Sequence, residues 1–199
     1  MKPSPIRVSW DTTAMTSIRP AEGRFVDVAA MLGGGSPEKA CWCLTYRLSP
    51  AALKVGRPEA MRGLCSREPG PGLLAYIDEQ PVGWCGVGPR SEFHRLTHSR
   101  TIQQVDDRPV WSIVCFVVKA GYRGRGIAGD LLDAAVEFAR EGGAPSVEGY
   151  PIDSSGGKVS SSFAYPGTTE LFERAGFSKM APTSSKSGGV VRWIVSRDL

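Results

Sequence analysis

The stretch Val110–Arg140, VWSIVCFVVKAGYRGRGIAGDLLDAAVEFAR, organises the chain. It reads as three pieces in a fixed order. Val110 to Val118 is an almost unbroken apolar run, rich in β-branched and aromatic residues, with Lys119-Ala120-Gly121 after it. That pattern predicts a strand buried on both faces. Gly121 to Gly129 is a glycine-rich turn carrying Arg123 and Arg125. Ile127, Leu131, Leu132, Ala135, Phe138 and Ala139 then recur at the spacing of an amphipathic helix. Strand, glycine-rich turn and helix together bring bare backbone N–H groups to an anion. The first turn of a helix has unsatisfied donors and a partial positive charge, and glycines let the anion approach. The stretch therefore predicts a site for a nucleotide or for the pyrophosphate of a coenzyme.

Outside this stretch the composition is that of an ordinary globular protein. The 199 residues are 41% hydrophobic and 22% charged, enough for one domain with a sizeable core. No apolar run is long enough to span a membrane, and MKPSPIRVSWDTT lacks a signal-peptide core, so a cytoplasmic protein with no membrane partner is expected. Five irregularly spaced cysteines fit reduced thiols better than a disulfide framework. The net charge of +4 is spread without a basic block, so no nucleic-acid partner is expected; it also suits a polyanionic coenzyme.

Residues 1–14 read as an N-terminal arm, and 15–199 as a single domain. Met15 to Arg19 is a short first strand, and Ala21 to Leu32 a helix stopped by Gly33-Gly34-Gly35. A second helix is expected around Arg57 to Arg67. Gly72–Ile77 and Pro81–Val87 form a hairpin through Asp78-Glu79-Gln80. Residues 89–109 are expected to cross the surface, with a helical turn near Phe93 to Leu96. Ser146–Ile152 reads as a strand and Asp153–Ser162 as a Gly/Ser-rich loop. Thr168–Ala175 is a short helix ended by Gly176. Phe177–Met180 and Val190–Val195 form a last pair of strands across a polar loop, Pro182–Gly189.

Gly124-Arg-Gly-Ile-Ala-Gly129 matches the dinucleotide fingerprint G-x-G-x-x-G, with Glu148 near the place of its ribose-binding acid. That fold turns directly from strand into glycines, whereas Lys119 to Arg123 intervene here. The chain also ends too soon after the motif for the remaining strands and helices. A P-loop fails because no Gly-Lys-Ser/Thr follows.

Val117-Val118, then Tyr122-Arg-Gly-Arg-Gly-Ile-Ala128 and Leu131-Leu132, resembles the acyl-coenzyme A motif of the GNAT superfamily of N-acetyltransferases. The motif R/Q-x-x-G-x-G/A is met by Arg123, Gly126 and Ala128. Leu171-Phe-Glu-Arg-Ala-Gly-Phe177 resembles the helix and Gly-Phe that begin the family's last hairpin, and Ile18-Arg-Pro20 its opening. The resemblance covers about residues 15 to 198. Cys41-Trp-Cys43 and Trp84-Cys-Gly are similar to a bacterial subgroup whose members mostly lack known substrates.

The resemblance implies an α/β (α+β) fold: a mixed, mostly antiparallel sheet of about six to seven strands, flanked by helices and splayed at the central strand. It implies acetyl-CoA as cosubstrate, an amine of a small molecule or protein as acceptor, direct attack without a covalent enzyme intermediate, no metal, and a monomer or homodimer. Backbone N–H groups from Arg123, Gly124, Arg125, Gly126, Ile127, Ala128 and Gly129 would hold the pyrophosphate. Phe116, Val117 and Val118 would run beside the pantetheine arm and offer an N–H to the thioester carbonyl.

The sequence departs from the family at the catalytic groups. The position of the usual acid, a tyrosine, is Phe172, which leaves Tyr165 as the candidate acid. Glu148 and Glu92 are the candidate bases. The missing tyrosine keeps open a catalytically reduced acyl-CoA-binding sensor or interaction module. His94 and His98 have i, i+4 spacing but no acidic partner, so they predict pocket lining rather than a metal site. Cys41 and Cys43 lack the second pair that a zinc site needs, and Cys115 reads as core.

Overall fold

In the computed structural model, residues 6–7, 16–153, 163–187 and 189–199 are described. Most of the arm expected over 1–14, and nearly all of the Gly/Ser-rich loop expected over 153–162, lie outside them. Eight strands form one sheet: β1 (Ile6–Arg7), β2 (Ser17–Pro20), β3 (Gly72–Ile77), β4 (Gln80–Pro89), β5 (Trp111–Val118), β6 (Ser146–Gly149), β7 (Ser178–Ser187) and β8 (Val190–Asp198). Their spatial order is β1-β2-β3-β4-β5-β6-β8-β7. Every neighbouring pair is antiparallel except β5 and β6, which are parallel. This is the mixed, mostly antiparallel sheet expected, with the two-residue β1 added at its edge.

The sheet is covered on both faces. Helices α1 (Phe25–Leu32), α2 (Leu44–Arg47), α3 (Arg57–Cys65) and α4 (His94–Thr97) accompany one core, built on Trp42, Tyr46, Leu74, Tyr76, Trp84 and Phe93. Helix α5 (Ile127–Glu141) lies on the other, burying Ile127, Leu131, Leu132, Ala135, Val136 and Ala139. Each buried Ile, Leu or Val contributes about 1.5–3 kcal/mol and each Ala less, so this stripe fixes the helix on the sheet. The approach is close enough to require glycine at position 83. A Cβ there would stand 2.9 Å from Ile127 Cγ2 and 3.0 Å from Leu131 Cδ1. The short α6 (Thr169–Arg174) is capped by the Thr168 hydroxyl, which accepts from Leu171 N.

Two features of β5 shape the middle of the molecule. First, Gly86 pairs with Cys115 but Val87 pairs with Ile113, so Val114 is an extra residue, a β-bulge. The bulge resets the alternation: Phe116 and Val118 face the α5 side, Cys115 and Val117 the other. Second, β5 pairs with β6 only from Trp111 to Ile113, while its pairing with β4 continues to Val118. Beyond Gly149 the chain stays with β8 instead, through Trp193 N–H to Pro151 O and the Ile152–Arg192 bridge. The sheet thus splays along Val114–Val118, as expected.

Three local expectations change. The polar loop placed at 182–189 is mostly β7. An edge strand with solvent on its side chains needs no apolar alternation, so its Thr and Ser residues gave no strand signal. The segment 89–109 does not merely cross the surface: Arg90, Phe93, Leu96 and Ile102 are buried in it. The β3–β4 turn is Asp78-Glu79 alone, both at positive φ, and Gln80 already pairs with Ile77.

Candidate active site

The glycine-rich turn and α5 build the first wall of a cavity of about 500 Å³, and Leu171, Arg174 and Ala175 build the opposite wall. Gly124 and Gly126 have φ of 76° and 83°, in the left-handed region open to glycine, and this curls the turn into the start of α5. The first helical bonds run from Gly129 N and Asp130 N to Gly126 O, at 2.7 and 3.1 Å. The N–H groups of Ile127 and Ala128 precede that ladder and remain for an outside acceptor. A Cβ at Gly124, Gly126 or Gly129 would meet no atom within 4 Å, so the space over the turn is open. The turn therefore fits a pyrophosphate, with Arg123, Gly124, Gly126, Ile127, Ala128 and Gly129 at its surface. Arg125 does not line the cavity; its guanidinium lies 5.3 Å over the Tyr122 ring. Arg123 bends back to donate from Nε to Val118 O at 3.1 Å.

Val118 joins this cavity to the splay. Lys119 N–H bonds Val82 O on the β4 side, so the alternation turns the N–H and C=O of Val118 toward the gap that β6 leaves. Phe116 N–H points to the same gap but is occupied, donating to Tyr165 O at 2.7 Å. Of the three strand residues expected beside the pantetheine arm, Val118 is therefore the one that lines the first cavity. Val117 lines a second.

That second cavity, about 430 Å³, lies on the opposite face of the sheet. Its walls include Trp42, Cys43, Tyr46, Arg95, Cys115, Val117 and Tyr165. The Cys43 and Cys115 sulfurs are 2.7 Å apart. That hydrogen bond, together with burial, holds the Cys115 thiol well above its usual range. Behind the cavity sits Arg192, 2% exposed, donating to Tyr46 OH and to Tyr165 OH, each at 2.6 Å. The two phenol oxygens are 3.4 Å apart. Burial and the neighbouring Tyr165 push the Tyr46 hydroxyl up, against the opposing pull of Arg192.

Glu148 is elsewhere. It is 3% exposed and lines neither cavity. Its Oε2 accepts from Arg90 Nη1 and from Tyr150 OH, both at 2.9 Å, and Tyr150 OH also contacts Ser112 Oγ at 2.9 Å. Burial and the adjacent Glu148 carboxylate hold the Tyr150 hydroxyl well above its usual range. Glu92 is clamped between Arg47 and Arg67, at 2.8 and 2.9 Å. Phe172, at the place of the usual tyrosine, is wholly buried; a Cβ on Gly149 would stand 2.2 Å from its ring. His94 and His98 stack on each other at 4.1 Å and line neither cavity. Among the described residues no group of three or more His, Cys, Asp or Glu could hold a metal ion. No helix among them is long and apolar enough to cross a membrane.

The turn and Tyr165, named from the sequence, line the two cavities, whereas Tyr46, Arg95 and Arg192, which stand at the second, carry no such signal. Arg192 alternates with Val191 and Trp193 in a terminal strand, and nothing local marks it as buried.

The model of the acetyltransferase (GNAT) family matches residues 40–149. The chain belongs to that family. The matched span runs from the Cys41 segment to the end of β6 and includes the whole glycine-rich turn. No curated protein matches this GNAT chain. Solved structures share its fold at low identity. A polyamine N-acetyltransferase of Drosophila melanogaster superposes with a TM-score of 0.57 at 17% identity, covering 92% of this chain and 100% of that one. A chain of the NatC complex bound to Gag peptide and CoA gives 0.56 at 15%, covering 92% and 98%. Ard1 from Thermoplasma volcanium gives 0.53 at 17%, covering 92% and 97%.

Proposed function

We propose that this GNAT-family chain transfers an acetyl group from acetyl-CoA to a primary amine, by direct attack, with residues 15–199 acting as one domain. One observation carries the reading. The bulged, splayed end of β5 has a cavity of about 500 Å³ beside the glycine-rich turn on one face and a mainly apolar one of about 430 Å³ on the other, with Val118 lining the first and Val117 and Cys115 the second. Donor and acceptor would meet through the gap between β5 and β6.

Acetyl-CoA supplies the activated thioester. The amides of Ile127 and Ala128 and the positive end of α5 would hold its pyrophosphate, with Arg123 and Arg174 adding charge. The N–H of Val118 would stabilise the oxyanion that forms as the amine attacks. The Tyr165 hydroxyl would protonate the departing thiolate, and Arg192, 2.6 Å from that oxygen, would stabilise the phenolate left behind. Glu148, paired with Arg90 and away from both cavities, supports this chemistry as a structural carboxylate. The amine would then lose its proton to water. The five cysteines, all free, fit the reducing conditions of a cytoplasm.

Release of free CoA thiol from acetyl-CoA, followed with a panel of amines, tests this. Amine-dependent release supports the transferase. CoA binding in calorimetry without release by any amine overturns it.

A further inference from the structure

The second cavity has a charge signature. Its walls are mainly apolar, with Met31, Leu32, Trp42, Tyr46 and Tyr165, and they also carry Thr45 and three cysteine thiols. Arg95 is its one charged lining residue, and no Asp or Glu is among them. Arg95 stands 5.1 Å over the Tyr46 ring, and no carboxylate of the described residues pairs with it. Directly behind Tyr46 and Tyr165 lies the buried Arg192, whose guanidinium bonds two phenol oxygens and no carboxylate, with its Nε unpartnered. Both cations therefore act on a cavity that no Asp or Glu of the described residues lines.

We propose that this cavity takes a small amino acid with an apolar side chain, and that Arg95 reads its carboxylate. The proposal rests on reading the cavity as the acceptor side. A diamine or guanidino-amine would bring a second positive charge toward two arginines and find no carboxylate to receive it. In a medium of intermediate dielectric that juxtaposition is strongly unfavourable. An amino acid presents the complement: an apolar body for the aromatic walls, and a carboxylate that a guanidinium binds by two parallel hydrogen bonds. The volume, about 430 Å³, is that of a small-molecule site. Arg95 is exposed and held only by stacking, so it is free to turn toward a bound anion.

Matched acceptors test this. With acetyl-CoA saturating, kcat/KM for phenylalanine and leucine should exceed that for phenethylamine and isopentylamine, the same bodies without the carboxylate, by about 10- to 100-fold. Putrescine and agmatine should be the poorest. Arg95→Gln should bring the ratio between each amino acid and its decarboxylated amine close to one. Polyamines or a peptide N-terminus as the better acceptors, or a ratio that Arg95→Gln leaves unchanged, overturns the proposal. Calorimetry on the CoA-saturated protein separates it from the transferase reading. N-acetylphenylalanine should bind, N-acetylputrescine should not, and Arg95→Gln should weaken the former. If no amine releases thiol but this pattern holds, the transferase reading falls and the ligand class stands. If N-acetylputrescine binds as well as N-acetylphenylalanine, the ligand class falls.

Discussion

The backbone N–H of Phe116 donates to the carbonyl oxygen of Tyr165 at 2.7 Å. This bond occupies the side of β5 that β6 has left, where a strand partner would otherwise stand. It ties the segment before α6 to the central strand and sets the Tyr165 side chain in the second cavity, within reach of Arg192. A buried N–H without a partner would cost a few kcal/mol, so the tie is strongly favoured. One main-chain contact thus couples the splay, which opens the site, to the placement of the candidate acid.

Because main-chain atoms make the tie, Tyr165→Phe should keep it. The variant loses one hydroxyl that accepts from Arg192, at a stability cost of about 1 kcal/mol. Its kcat should fall about 100-fold or more, the usual worth of a positioned general acid, while its affinity for acetyl-CoA changes little. Steady-state kinetics with calorimetric CoA binding checks both. An unchanged kcat removes Tyr165 from the mechanism.

The glycine-rich turn proposed to hold the coenzyme can be blocked without disturbing the fold. Gly129 lies in the first turn of α5 without a positive φ, and a Cβ on it meets nothing within 4 Å. Gly129→Glu adds bulk and negative charge at the expected pyrophosphate, yet a carboxylate at a helix N-terminus is favourable to the helix. Its thermal midpoint should match that of the parent while CoA affinity drops about 100-fold or more. Unaltered affinity would sink the assignment of this cavity.

The strand, turn and helix were legible from Val110–Arg140 because each signal there is local: apolar run, glycines, helical period. The bulge at Val114 was not, since a strand apolar on both faces shows no alternation to break. Tyr165 could be picked out as an aromatic near the departure at Phe172. Its partner could not, because Arg192 stands 27 positions away in a terminal strand, and its other phenol, Tyr46, lies 146 positions off. The closed state of Glu148 depends likewise on Arg90, from a segment that reads as polar surface.

Glu148→Gln discriminates a base from a structural carboxylate. The substitution leaves the Arg90 cation buried without its counter-charge, so stability should fall by about 3 kcal/mol or more. Among molecules that remain folded, the pH dependence of kcat/KM should keep its shape. Denaturant unfolding and a pH–rate profile measure the two effects. Loss of the ascending limb of that profile would restore Glu148 as the base.

Alkaline conditions test the buried phenols. Tyr76 donates to Asp27 Oδ2 at 2.6 Å, and burial together with that carboxylate pushes its hydroxyl well above the usual range. Tyr46 and Tyr150 are raised as well, each chiefly by burial. A folded-state value above the unfolded one, near pH 10, means that the native state holds the proton more tightly. The resulting stability is fully present below about pH 10 and is lost as pH rises from there through the folded-state values. Unfolding free energy should therefore be insensitive to these groups at neutral pH and decline above about pH 10. Tyr76→Phe removes one of the three titrations, so its decline should be shallower than that of the parent. Equal slopes for the two proteins would show that the Tyr76 proton is held no more tightly in the native state than in the unfolded chain.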